Sequence, residues 1–134
     1  MISKQFDWAD YFKMADELAK RSDEAALRTA LSRAYYYVFH LALNRAQSNG
    51  FSIREGEASH PQLWRNYSLS PEPACNKLAQ IAGRLKEKRR KADYEQIYAR
   101  LDDDIDGALA DAQDFASRLI KLPARFPDPK SMRQ

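Results

Sequence analysis

The chain is poor in the residues that staple, anchor or break a fold. Its one cysteine, Cys75, excludes an internal disulfide, and no cysteine–histidine cluster has the spacing of a metal site. No metal or cofactor is expected. Glycine occurs four times and proline six, and three of the prolines crowd into residues 123–134. No apolar run approaches the roughly 18–20 residues of a membrane span, so no membrane contact is expected. Met1–Asp7 lacks the charged-then-apolar pattern of a secretory leader, which points to a cytoplasmic protein. Repeats and low-complexity tracts are absent too. With 134 residues, the chain is long enough to bury one core without disulfides or metals.

Helical periodicity dominates what remains. Trp8, Phe12, Ala15, Leu18 and Ala19 define an amphipathic helix over residues 7–21, with Asp7 as its N-cap. Ser22-Asp23-Glu24 restarts the chain with a cap and acids that suit a helix dipole. That second helix runs to Ser48 and stops at Asn49-Gly50. Its apolar positions cover a wide arc, so it is central. Residues 50–58 read as a loop, and Ser59-His60-Pro61 opens a short helix carrying Leu63 and Trp64. Ser70-Pro71-Glu72 predicts the next start, with Ser70 as N-cap and proline at the first position. This helix continues through Lys91, with a bend at 92–94. The last keeps a three/four spacing from Ile97 through Leu101, Ile105, Ala108, Ala112, Phe115 and Leu119 to Leu122. The expectation is all-α: an up-down helical bundle of four long helices plus one short helix, domain 1–122, with a disordered Pro-rich tail at 123–134.

Charge is nearly balanced overall, at +3, but unevenly placed. Residues 84–91 carry Arg84, Lys86, Lys88, Arg89, Arg90 and Lys91 against the single acid Glu87. Asp102, Asp103, Asp104, Asp106, Asp111 and Asp114 follow in the last helix. Either the two segments neutralise each other across a helix pair, or the basic strip attracts phosphates. Arg89 stands out because it falls four residues after Leu85, on the row otherwise read as Leu78, Ile81, Leu85 and Ala92. A charge on a buried stripe needs a partner, and Asp93 at i+4 is placed to supply one. Tyr35, Tyr36 and Tyr37 step about 100° each around a helix, so at least one is half exposed and suits a dimer interface. His40, among aromatics, reads as a bundle residue or a catalytic one. His60, before Pro61, reads as a helix-start residue or a chemical one.

Three local signatures in this order resemble the HEPN family, the higher eukaryotes and prokaryotes nucleotide-binding domains. Arg33-Ala34-Tyr35-Tyr36-Tyr37-Val38-Phe39-His40-Leu41-Ala42 is similar to the second helix of small prokaryotic members. Arg89-Arg90-Lys91-Ala92-Asp93-Tyr94 resembles their R-x-x-A-D-Y, and the stretch from Asp104 to Phe115 resembles their closing helix. The likeness covers roughly residues 7–122. It implies a HEPN-like bundle and a homodimer whose interface or motif support includes Arg33, Tyr36, Tyr37 and Asp93. Ribonuclease members of that family carry an arginine and, four to six residues later, a histidine, and both act on the RNA phosphodiester. Here Arg89 matches the arginine, but five residues on stands Tyr94, and Glu95, Gln96, Ile97 and Tyr98 follow. A tyrosine, with a pKa near 10, is a poor general base at neutral pH.

The reading therefore leans away from an enzyme. It favours a non-catalytic module that binds nucleotide or RNA through Arg84, Lys88, Arg89, Arg90 and Lys91. The resemblance adds a nucleotidyltransferase-type protein partner in a toxin–antitoxin or defence setting. Two alternatives stay open. One is a metal-independent ribonuclease in which Arg89 works with Tyr94, His40 or His60. The other is a structural interaction protein without ligand.

Overall fold

The computed structural model describes residues 5–54, 56 and 59–132. Among them every regular element is helical, and five α-helices pack into one bundle. α1 spans Ala9–Leu18, α2 Glu24–Ser48, α3 Ser59–Ser68, α4 Pro73–Tyr94 and α5 Leu101–Lys121. Of the loop expected at 50–58, residues 55, 57 and 58 lie outside the described set.

Three helices are long, and α1 is shorter than its pattern predicts. The Asp7 carboxylate accepts from the Ala9 N–H at 3.0 Å, and the chain turns out of the helix at Ala19 and Lys20. Continuation through Arg21 is blocked by the next helix's own start. Asp23 caps α2 by accepting from Ala26 N–H at 3.2 Å while its carboxylate pairs with Arg21 at 2.9 Å. α2 ends as its sequence predicts. Gly50 adopts φ +103°, Phe51 N–H donates to Ala46 C=O and Gly50 N–H to Gln47 C=O, a Schellman closure that only glycine makes without strain.

α4 begins two residues later than the serine signal suggests. Ser70 Oγ accepts from Glu72 N–H at 3.2 Å, but the proline at the first helical turn is Pro73. α4 runs as one continuous helix through Tyr94, the end of the stretch where a bend is expected. α5 carries Asp102–Asp104 at its positive end and Arg118 and Lys121 at its negative end. Its apolar stripe stops at Leu101. Ile97, expected on that stripe, lies in the α4–α5 connection and is 80 % exposed.

α2 packs against α1, α4 and α5, and α3 lies over α4 and α2. Tyr35, Tyr67 and Phe115 are fully buried between them, with Leu31, Leu78, Ile81 and Leu85. Tyr67 hands its hydroxyl proton to Ala42 C=O at 2.8 Å, which ties α3 to α2 without leaving a buried donor unmet. Cys75 sits buried in the first turn of α4, as a small core residue.

The tail is not disordered over its described residues. Arg45 of α2 donates to the carbonyls of Leu119, Leu122, Pro123 and Phe126, and Asn49 to those of Ala124 and Pro127. Phe126 and Pro127 are buried, and Pro129–Ser131 form a 3-10 turn. Proline-rich composition suggested disorder, whereas a guanidinium aimed at orphan carbonyls of α5 fixes the segment. Arg45→Ala should therefore lower stability in urea unfolding by about 2 kcal/mol, the scale of hydrogen bonds from a charged donor. Limited proteolysis should then cut first within residues 123–132.

Candidate functional site

The basic strip of residues 84–91 does not form one surface. At 100° per residue, Lys86 and Arg89 fall on one side of α4, while Arg84, Lys88 and Lys91 fall nearly opposite. The second group faces α5 across an open groove of about 740 Å³, shared with Glu87, Arg100 and Asp104. There Arg84 grips Asp111 through two bonds of 3.0 and 3.1 Å. Arg90 forks onto Glu87 at 2.8 and 3.2 Å and reaches Glu95 at 3.2 Å. So part of the strip does neutralise acids, some of them on the neighbouring helix.

Lys86 and Arg89 open instead into a cavity of about 410 Å³, closed by Tyr36 of α2, His60 and Pro61 of α3, and Tyr94. Arg89 is nearly buried, its side chain 12 % exposed, and its guanidinium carbon lies 5.4, 5.8 and 5.8 Å from the ring centres of Tyr35, Tyr36 and Tyr94. Asp93 pairs with it as the i+4 spacing predicts, but at 3.5 Å, and Arg89 Nε–H has no hydrogen-bond partner among the described residues. The Arg33 guanidinium lies 5.5 Å from the Tyr36 ring centre and 4.6 Å from that of Tyr11, and its Nε–H has no partner among the described residues. Arg89 and Arg33, 5.8 and 5.5 Å from the Tyr36 ring centre, add two positive charges to this region.

His60 completes this wall from a different helix. Its Nδ1 lies 2.7 Å from Tyr35 Oη, which in turn accepts from Trp64 Nε1–H at 3.0 Å. The imidazole stacks on Phe39 at 4.0 Å. Burial, then the charges of Arg89 and Lys86, lower its pKa to about 4, so it is neutral at pH 7. Burial pushes the Tyr35 hydroxyl up to about 12, against the opposing pull of Trp64 and Arg89. Neither group exchanges protons readily near neutrality.

The remaining candidates separate. His40 stacks face to face on Trp8, 3.4 Å between ring centres and 4° between planes, and so docks α1 on α2. Tyr37 turns toward Phe12 of α1, 5.5 Å away. Tyr94, 75 % exposed, stands at the cavity mouth. Lys86 was part of the strip but not singled out as a ligand residue, although its i+3 relation to Arg89 places both on one face. The partnership of His60 with Arg89, 29 positions apart, depends on how α3 folds back and has no local signal. Among the described residues no three His, Cys, Asp or Glu side chains gather as a metal site would require. No helix there is long and apolar enough to cross a membrane. The chain matches no family model, no curated protein and no solved structure.

The low affinity of folded His60 for protons links it to stability. Between about pH 6.5 and pH 4 the unfolded chain takes up a proton that the native ring refuses, so acidification through that window favours unfolding. Above pH 6.5 the linkage vanishes, because both states are neutral. The midpoint of thermal unfolding should fall as pH drops through this window, and His60→Gln should reduce that fall.

Proposed function

We propose that this protein is a non-catalytic, HEPN-type cytoplasmic module that binds the phosphate of a nucleotide or of RNA in the Arg89 cavity. The observation that carries this reading is that Arg89, a nearly buried guanidinium whose one ion pair is the 3.5 Å contact with Asp93, lines the same cavity as Lys86. A largely desolvated guanidinium is costly, and an anion in the cavity offsets part of that cost. Exposed Tyr94 and half-buried Tyr36 flank it and offer faces on which a base can stack. Arg84 and Arg90 are held in short pairs with acids of the same chain, whereas Arg89 has the longer 3.5 Å pair with Asp93 and shares its cavity with Lys86, which makes these two the phosphate contacts of this reading.

The proposal extends to assembly. Tyr94 at the cavity and Ile97 three residues on expose apolar surface, in keeping with a homodimer formed through this segment. A nucleotidyltransferase-type partner in a toxin–antitoxin or defence setting rests on the resemblance alone. Sedimentation at micromolar concentration should give a dimer that Ile97→Glu weakens; a monomer at every concentration would remove this part.

One observation favours a second reading, metal-independent RNA cleavage: α3 brings a histidine to the arginine that lacks one at motif spacing. Proton transfer weighs against it. A ring with pKa about 4 holds almost no proton to give a leaving oxygen at pH 7, and its conjugate base is weak. Binding of short single-stranded RNA should weaken with salt, with a slope of about −0.7 in log K against log salt for each phosphate contacted. Arg89→Ala should reduce affinity roughly tenfold to a hundredfold, the scale of a charge-assisted hydrogen bond. Lys88→Ala should change it far less. Transfer RNA and messenger RNA incubated with the protein in chelator should stay intact. Cleavage abolished by both Arg89→Ala and His60→Gln would instead establish the ribonuclease.

A further inference from the structure

We propose that His60 serves the Arg89 cavity as a fixed, neutral hydrogen-bond donor to a phosphate oxygen, held in its Nε2–H form by a buried relay from Trp64 through Tyr35. The inference rests on the reading of this cavity as a phosphate site, and it names the form in which the third polar group acts there.

The direction of the relay follows from what each group can do. An indole N–H only donates, so Trp64 Nε1, 3.0 Å from Tyr35 Oη, fixes that oxygen as an acceptor. The Tyr35 side chain is fully buried, and its own hydroxyl hydrogen needs an acceptor. His60 Nδ1, at 2.7 Å, is the one that the described residues provide. A ring nitrogen that accepts carries no hydrogen, so the neutral imidazole keeps its proton on Nε2. Nδ1 is consumed inside the bundle, and Nε2–H is the one polar group of His60 left for the cavity it lines.

Among the described residues, the charges nearest His60 oppose a second proton. From α4, Arg89 and Lys86 already place two positive charges at the cavity. From α2, Tyr35 offers a donor, Tyr36 and Phe39 offer ring faces or edges, and His40 adds a further unfavourable charge term. The carboxylate nearest Arg89, that of Asp93, is taken up by that arginine. Protonating Nδ1 would also turn it into a donor facing Tyr35 and strip the buried hydroxyl hydrogen of its acceptor. His60 thus matches a ligand atom that only accepts, such as a non-bridging phosphate oxygen, and disfavours one that must donate.

The test begins on the ligand-free protein. Imidazole ¹⁵N spectra, with His60→Gln to assign the two rings, should show His60 as Nε2–H with no titration between about pH 5 and pH 8. Tyr35→Phe or Trp64→Phe, whichever folds, should let the Nδ1–H form appear. Hexauridylate, whose phosphodiesters do not titrate in this range, is the binding probe. Wild-type affinity should agree within about twofold between pH 5.5 and 7.5. The relay variant should bind about fivefold more weakly at pH 7.5 and at pH 5.5 alike, because burial, Arg89 and Lys86 still hold its ring neutral. A wild-type His60 that carries its proton on Nδ1, or titrates above pH 6, would overturn the relay whatever the binding. Absence of hexauridylate binding with the Nε2–H form intact would overturn the phosphate-site reading instead, so the spectra keep the two failures apart.

Discussion

Guanidinium groups meeting backbone carbonyls, at both ends of α2, set the frame on which everything else in this bundle hangs. Near the start of α2, Arg28 donates to the carbonyls of Ala92, Glu95 and Gln96 and pairs with Glu24 at 2.9 Å. Near its end, Arg45 donates to four carbonyls at the close of α5 and beyond. The last turns of a helix leave carbonyls without partners and a partial negative charge, and a planar cation with five donors answers both needs. One helix thereby fastens the finishing ends of two others, and its own buried face supplies Leu31, Tyr35 and Val38 to the core.

That frame explains why a charged residue can occupy the inner stripe of α4. Arg89 is held against the ring faces of Tyr35 and Tyr36 on the very helix whose Arg28 secures the end of α4. Its remaining neighbours are a distant carboxylate and a neutral histidine, so the charge is sheltered but not cancelled. Arg84 with Asp111 and Arg90 with Glu87 close to a short, forked geometry, whereas Arg89 and Asp93 stay 3.5 Å apart.

Much of the fold was legible because helix signals are local. Asp23 as a cap, Asn49-Gly50 as a stop and the three/four rows of α5 all act within one or two turns. The features that were not legible depend on distant partners. Nothing around Pro123–Pro129 announces that Arg45, some 80 positions earlier, will hold it. Ile97 continues the α5 spacing on paper, yet Tyr98 rather than Ile97 enters the core, with its hydroxyl donating to Asp104. At the site, Arg89 and its i+4 acid could be read from α4 itself. The split of the basic strip into two faces followed from helical geometry but needed α5 and α3 in place to give each face an identity.

The Arg28 clasp has a kinetic and entropic side as well. By gripping Glu95 and Gln96, it ties down the backbone that displays Tyr94 at the cavity mouth and Ile97 just after it, both largely open to solvent. Surface groups on a slack loop must surrender that freedom when something settles on them, and the loss subtracts from affinity. Here the freezing is already done during folding, so a molecule landing on this rim meets a rigid template and only its own disorder remains to be quenched.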